Sequence, residues 1–164
     1  MALPNMTQPA EAATAHELTY TDGTKRTVFV TEREIAYPEG RLIISRTDLD
    51  GVITHANDAF VELSGYQKEE LIGQPHSILR HPDMPKAAFK DLWDTMAAGK
   101  KWHGYVKNLR KDGAHYWVYA TAVPNVRNGK TVGYTSVRRK PSRKKIEELS
   151  KVYKEWLAAE GGAA

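Results

Sequence analysis

The stretch Gly73 to Pro85, GQPHSILRHPDMP, packs two histidines, an arginine, an aspartate and three prolines into thirteen residues. A guanidinium is a planar fork of donors that suits paired oxygens such as those of a phosphate, and an adjacent imidazole adds one donor beside it. Arg80 and His81 are therefore the first binding candidates. Pro82 and Pro85 restrict the backbone around them and so reduce the ordering cost of holding donors for a ligand. Asp83 joins the set in a different role, because an anion beside phosphate is unfavourable. It is expected to cap the helix that follows and to orient Arg80 or His81. The competing structural readings are an Arg80–Asp83 ion pair and a packing or capping role for His81.

A second group lies downstream. Trp102 and Asn108 are six residues apart on a predicted strand, so they share one face of the sheet. An indole can stack on a flat ring and donate one hydrogen bond, and a buried amide needs a partner. Ordinary core packing is the alternative for Trp102. Asn57 fits a helix N-cap and is also a ligand candidate, and His76 completes the set. His115 and Trp117 fall on one strand face and Tyr116 on the other, with the inward face left open.

Other chemistries find less support. The chain contains no cysteine, which excludes disulfides, thiolate metal sites and cysteinyl cofactor adducts. No nucleophile is paired with a base, the carboxylates are scattered rather than opposed, and catalysis is not expected. No glycine-rich dinucleotide fingerprint or P-loop is present. The net charge of +4 is concentrated at Arg138, Arg139, Lys140, Arg143, Lys144 and Lys145. With no aromatics interleaved, that run reads as a solvated helix start rather than a nucleic-acid surface. No apolar run approaches the roughly 20 residues that span a bilayer, and the start lacks a signal-peptide pattern, so the chain is expected to be soluble.

These residues need a scaffold, and 164 residues with 41% hydrophobic content allow one good core. Residues 1–17 show no periodicity and are expected to be mobile. Residues 18–38 offer a hairpin about Asp22-Gly23, giving an N-terminal tail and cap over residues 1–40. Strands are predicted at 42–47 and 52–55, then short helices AFVELSG and QKEELIG. A helix from Pro85 follows, with Phe89, Leu92, Trp93 and Met96 facing the core. Three strands come next, at 102–110, 115–123 and 131–139, with turns at Asp112-Gly113 and Asn128-Gly129. This order predicts an α+β fold, a five-stranded antiparallel sheet with short helices covering one face and a ligand gap between them. Over residues 141–164 a last helix carries Ile146, Leu149, Tyr153 and Trp156 at seam spacing. It can pack back on its own domain or pair with a partner.

Over residues 42–140 the strings ITHANDAFVELSGY, GQPHSILRHPDMPKAAFKDLW and WHGYVKNLRKDGAHYWV resemble the flavin-binding PAS domain of bacterial aerotaxis receptors, found in PAS-containing methyl-accepting chemotaxis proteins. The resemblance implies a PAS fold over residues 41–140 and a noncovalently held FAD. It also implies a redox state relayed to a chemotaxis signalling module through the helix of residues 141–164. In that reading Arg80 and His81 serve the phosphates, Trp102, Asn108 and Asn57 serve the isoalloxazine, and His76 is a further cofactor-binding candidate. The location implied is cytoplasmic, with an inner-membrane anchor of the parent receptor and a homodimer both left open. Asn108, and after it Asn57, can read the redox state by turning over the amide. Two rivals remain: a haem pocket with His81 or His76 as axial ligand, and a ligand-free dimerisation module.

Overall fold

The computed structural model describes residues 3–160. Asp22 and Gly23 turn the chain so that β1 (Thr14–Thr19) and β2 (Lys25–Val30) pair antiparallel. The expectation of a mobile start fails here. Leu3 and Met6 are buried, Met6 N donates to Thr27 O at 2.9 Å, and Thr27 N donates to Asn5 Oδ1 at 2.8 Å. The segment has too few apolar residues for a core of its own, yet it borrows one from the body of the domain. Arg26 fastens the hairpin down: Nε donates to Pro4 O at 2.7 Å, Nη1 to Ile78 O at 3.0 Å and Nη2 to Tyr66 Oη at 3.1 Å.

β3 (Ile43–Thr47) and β4 (Ile53–Ala56) open the main sheet. Next come α1 (Asp58–Ser64), α2 (Lys68–Leu71), a 3₁₀ turn (His76–Leu79) and α3 (Lys86–Ala97). The sheet is completed by β5 (Trp102–Leu109), β6 (His115–Arg127) and β7 (Lys130–Arg139), in the antiparallel order β4-β3-β7-β6-β5. This is the α+β architecture expected, with β6 running beyond its predicted end at Val123. Gly113, in the β5–β6 turn, has φ +89, and a Cβ there would stand 2.9 Å from the Phe29 carbonyl oxygen. Only glycine allows that turn to approach the hairpin so closely.

Alternation divides the sheet into two faces. Tyr116, Val118, Ala120 and Ala122 of β6 face the helices with Ile43 and Trp102, in the main core beside Phe60, Leu71, Leu79 and Met96. Trp117 belongs to the outer face, where it meets Ile146 and Tyr153 of α4 (Arg143–Ala159). Ser142 caps α4 through Lys145 N at 3.2 Å. The last helix therefore packs back on its own domain, while Trp156 stays 43% exposed.

Two predictions about α3 need correction. Trp93 is 42% exposed and meets Tyr134 edge-on at 5.4 Å instead of entering the core, because α3 buries its deepest contact at Met96 and turns Trp93 toward the strand end. Asp83 is not the helix cap. Pro85 holds that position without a side-chain bond, and Glu160 takes the first two amides of the helix, Lys86 N and Ala87 N, at 2.9 Å each.

Candidate functional site

The GQPHSILRHPDMP stretch crosses from one edge of the sheet to the other: Pro75 bridges Val52 beside β4, and Arg80 bridges Asn108 of β5. Arg80 forms an isolated antiparallel bridge with Asn108, which ties the first candidate group to the second. The Arg80 guanidinium lies over the Phe89 ring at 5.6 Å, and its buried Nε has no hydrogen-bond partner among the described residues. The ion pair with Asp83 is not formed. Asp83 instead binds Lys107 Nζ at 2.7 Å, so its negative charge is answered from β5.

His81 is 1% exposed. Its Nδ1 accepts the Asp83 backbone N–H at 3.0 Å, so in the neutral ring the proton resides on Nε2. Burial, reinforced by the Lys107 ammonium, pushes the imidazole pKa down to about 3, which keeps the ring neutral at physiological pH. Nε2 is buried and without a partner among the described residues. It is an open donor at the base of the clasp.

On the inner sheet face, Asn108 stands opposite Tyr116 in register, and both are buried. The Tyr116 hydroxyl finds no hydrogen bond of good geometry, and burial pushes its pKa up to about 12. Trp102 shares this face as predicted, but its Nε1 donates to Asp91 Oδ2 at 2.8 Å, which leaves no indole donor for a ligand. Its six-membered ring lies across Gly104, where a Cβ would collide with it. Gly104, Ala120, Ala122, Ser136 and Ser45 make this part of the face a row of small residues.

One residue of this face was misread from the sequence. Arg138 is 3% exposed, not part of a solvated basic run. Nη1 donates to Ser45 Oγ at 2.9 Å and lies 3.5 Å from His76 Nε2, the guanidinium stacks over Phe60 at 4.7 Å, and buried Nη2 has no partner. No carboxylate pairs with it among the described residues, and burial pushes its pKa down to about 10. The available signal was strand alternation, which sends Arg138 and Arg139 to opposite faces. His76 stacks on Phe60 at 5.7 Å, and burial, then Arg138, pushes its pKa down to about 3.

Asn57 is not brought into this group. Its Oδ1 accepts from Phe60 N and Ile44 N at 3.1 Å each and its Nδ2 donates to Leu42 O at 2.9 Å, so every polar atom serves the start of α1 and β3. The expected gap between helices and sheet is filled by the core, with the Trp102 indole over the small-residue row. Two depressions of about 250 Å³ lie elsewhere, one by Arg46, His55 and Lys68 and one by Glu34, Trp117 and Pro141. The site thus combines a proline-bounded Arg80–His81 pair with an inner face that holds a buried cation and unpartnered polar atoms. Such a set suits a flat, polar-edged ring carrying an anionic tail, once the indole moves aside.

Residues 53–138 match the family described as PAS fold. The chain is 51% identical over 126 residues to the aerotaxis receptor of Escherichia coli (strain K12), a match that covers 77% of this chain and a quarter (25%) of that receptor. The light-state structure of the blue-light photoreceptor aureochrome-1 LOV shares the fold at TM-score 0.61 and 23% identity, covering 66% of this chain and 88% of that one. A light-oxygen-voltage domain whose mechanism was studied with a flavin analogue aligns at TM-score 0.59 and 25% identity, over 67% of this chain and 83% of that one. With the family match lying across the sheet and helices just described, the chain belongs to the PAS family.

Proposed function

We propose that this chain is the flavin-binding sensor domain of a longer receptor, that its cofactor is FAD, and that it relays flavin redox state to a chemotaxis signalling module. The observation that carries this reading is Arg138, a guanidinium buried beside a row of small residues with no carboxylate paired to it among the described residues. Burying an unpaired charge costs several kcal/mol, so a core that retains one is built to meet negative charge from elsewhere. A bound flavin supplies a ring that takes up electrons and becomes more negative or protonated on reduction. Arg138 favours the more negative state, and His76 and Ser45 hold Arg138 in place. Arg80 and the Nε2–H of His81 bind the phosphates, and Asp83 positions His81. Asn108, beside Tyr116, would hold the polar edge of the ring, and Trp102 would pack against it.

In this reading residues 41–140 are the sensor, residues 1–40 its cap and residues 141–164 the link to the signalling module. The domain works in the cytoplasm, and a homodimer is compatible with it. No helix among the described residues is long and apolar enough to cross a membrane. The test is an absorption spectrum of the purified chain before and after dithionite. We expect two broad bands in the blue and near ultraviolet, reversible bleaching, and FAD rather than FMN released on denaturation. A colourless chain that takes up no added FAD overturns the reading, and a Soret band replaces it with haem.

A further inference from the structure

The last helix ends on the clasp. Glu160 offers one carboxylate oxygen to Lys86 N and the other to Ala87 N, each at 2.9 Å, across more than 70 residues of sequence. Those amides are the first of α3, whose N-cap, Pro85, has no side-chain donor or acceptor to offer. Arg80 lies over Phe89 of the same helix at 5.6 Å; burial pushes its pKa down, opposed in part by the charges of Tyr20 and Glu160. The remainder of α4 is anchored independently. Arg143 pairs with Glu34 at 2.7 Å, Tyr153 Oη donates to the Tyr105 carbonyl at 2.6 Å, and the Tyr153 ring stacks with Trp117 at 6.3 Å. The final turn can therefore leave without undocking the helix.

We propose that Glu160 competes with a ligand phosphate for the corner formed by Arg80 and the first turn of α3, so that phosphate docking releases the last turn of α4. Two anions at one helix start, with the Arg80 guanidinium nearby, repel each other, and each lowers the other's occupancy. The coupling is reciprocal: what frees the turn when phosphate binds also weakens phosphate while the turn is docked. The flavin reading above supplies the source of the phosphate, FAD, and the corner would answer to any phosphate of that geometry.

The experiment uses the full chain with Glu160→Ala and Glu160→Gln, the second keeping size and an acceptor oxygen while removing charge. FAD and riboflavin, which lacks phosphate, are titrated into each. Amide exchange over residues 154–160 is followed in the wild type with inorganic pyrophosphate, against potassium chloride at equal ionic strength. We expect FAD to bind both variants about fivefold or more tightly than wild type, riboflavin to bind all three alike, and pyrophosphate alone to speed exchange in the last turn. If FAD binds the variants no more tightly and pyrophosphate leaves the exchange unchanged, the competition is overturned while a flavin site stands. If no flavin binds yet pyrophosphate still frees the turn, the competition stands and the flavin reading falls.

Discussion

Asp83 and His81 are joined through the backbone rather than through their charges: the Asp83 N–H donates to His81 Nδ1 at 3.0 Å, and the Asp83 carboxylate turns to Lys107 at 2.7 Å. The aspartate thereby sets the tautomer of the histidine without sharing its proton. Among the described residues, what is left free is Nε2–H, next in sequence to an arginine whose Nε is also unpartnered.

Arg80→Ala should leave the fold intact, since this side chain fills no part of the main core. Losing a charge-assisted hydrogen bond costs roughly 1.5 to 3 kcal/mol, or about tenfold to a hundredfold in affinity. FAD affinity by fluorescence titration should fall by that factor and riboflavin affinity should not. Equal losses for both ligands would remove Arg80 from the phosphates.

Arg138→Met replaces a buried, unpaired cation by an apolar chain of similar length. Such replacements are often neutral or stabilising, so the melting temperature without flavin should hold or rise. The midpoint potential of bound flavin should fall, because the group that favours the more negative state is gone. Spectroelectrochemical titration reads this directly, and an unchanged potential would separate Arg138 from the ring.

Stability should decline in mild acid. His76 and His81 have pKa values depressed from 6.5 to about 3 in the fold, chiefly by burial. Between those values the unfolded chain binds protons that the folded one refuses. Their contribution is complete above about pH 6.5 and is lost as pH falls toward 3, each at about 1.4 kcal/mol per pH unit. Urea unfolding at pH 7, 6 and 5 checks the slope, and His76→Gln should reduce it by one such increment.

Asn108 can donate in one orientation of its amide and accept in the other, which neither aspartate nor alanine reproduces. In a parent receptor, Asn108→Asp and Asn108→Ala should lose the difference in output between oxidised and reduced states, with flavin content scored separately. Variants that keep flavin and switch normally would show that another group reads the ring.

What could be read directly from the chain was local. Asn57 caps α1 as its spacing to Phe60 required, the Asp-Gly and Asn-Gly turns fell where strands had to reverse, and period-two alternation put Trp102 and Asn108 on one face. The strings around His76, Arg80 and Trp117 also led to the right family, because they record a whole domain rather than one contact. Partnerships across the fold could not be read. Alternation separates Arg138 from Arg139 but does not say which face the helices cover, and only the assembled sheet sends Arg138 inward onto Ser45 and Phe60. Leu3 and Met6 are too few to signal order by themselves and become buried against apolar residues distant in sequence, with Arg26 binding Pro4 O and Ile78 O together. Asp83 had the right chemistry for a cap and lost the position to Glu160, since hydrogen-bond donors choose among all acceptors brought within reach. Caps, turns and alternation depend on covalent neighbours, whereas burial and long-range pairing depend on which surfaces meet when the sheet closes.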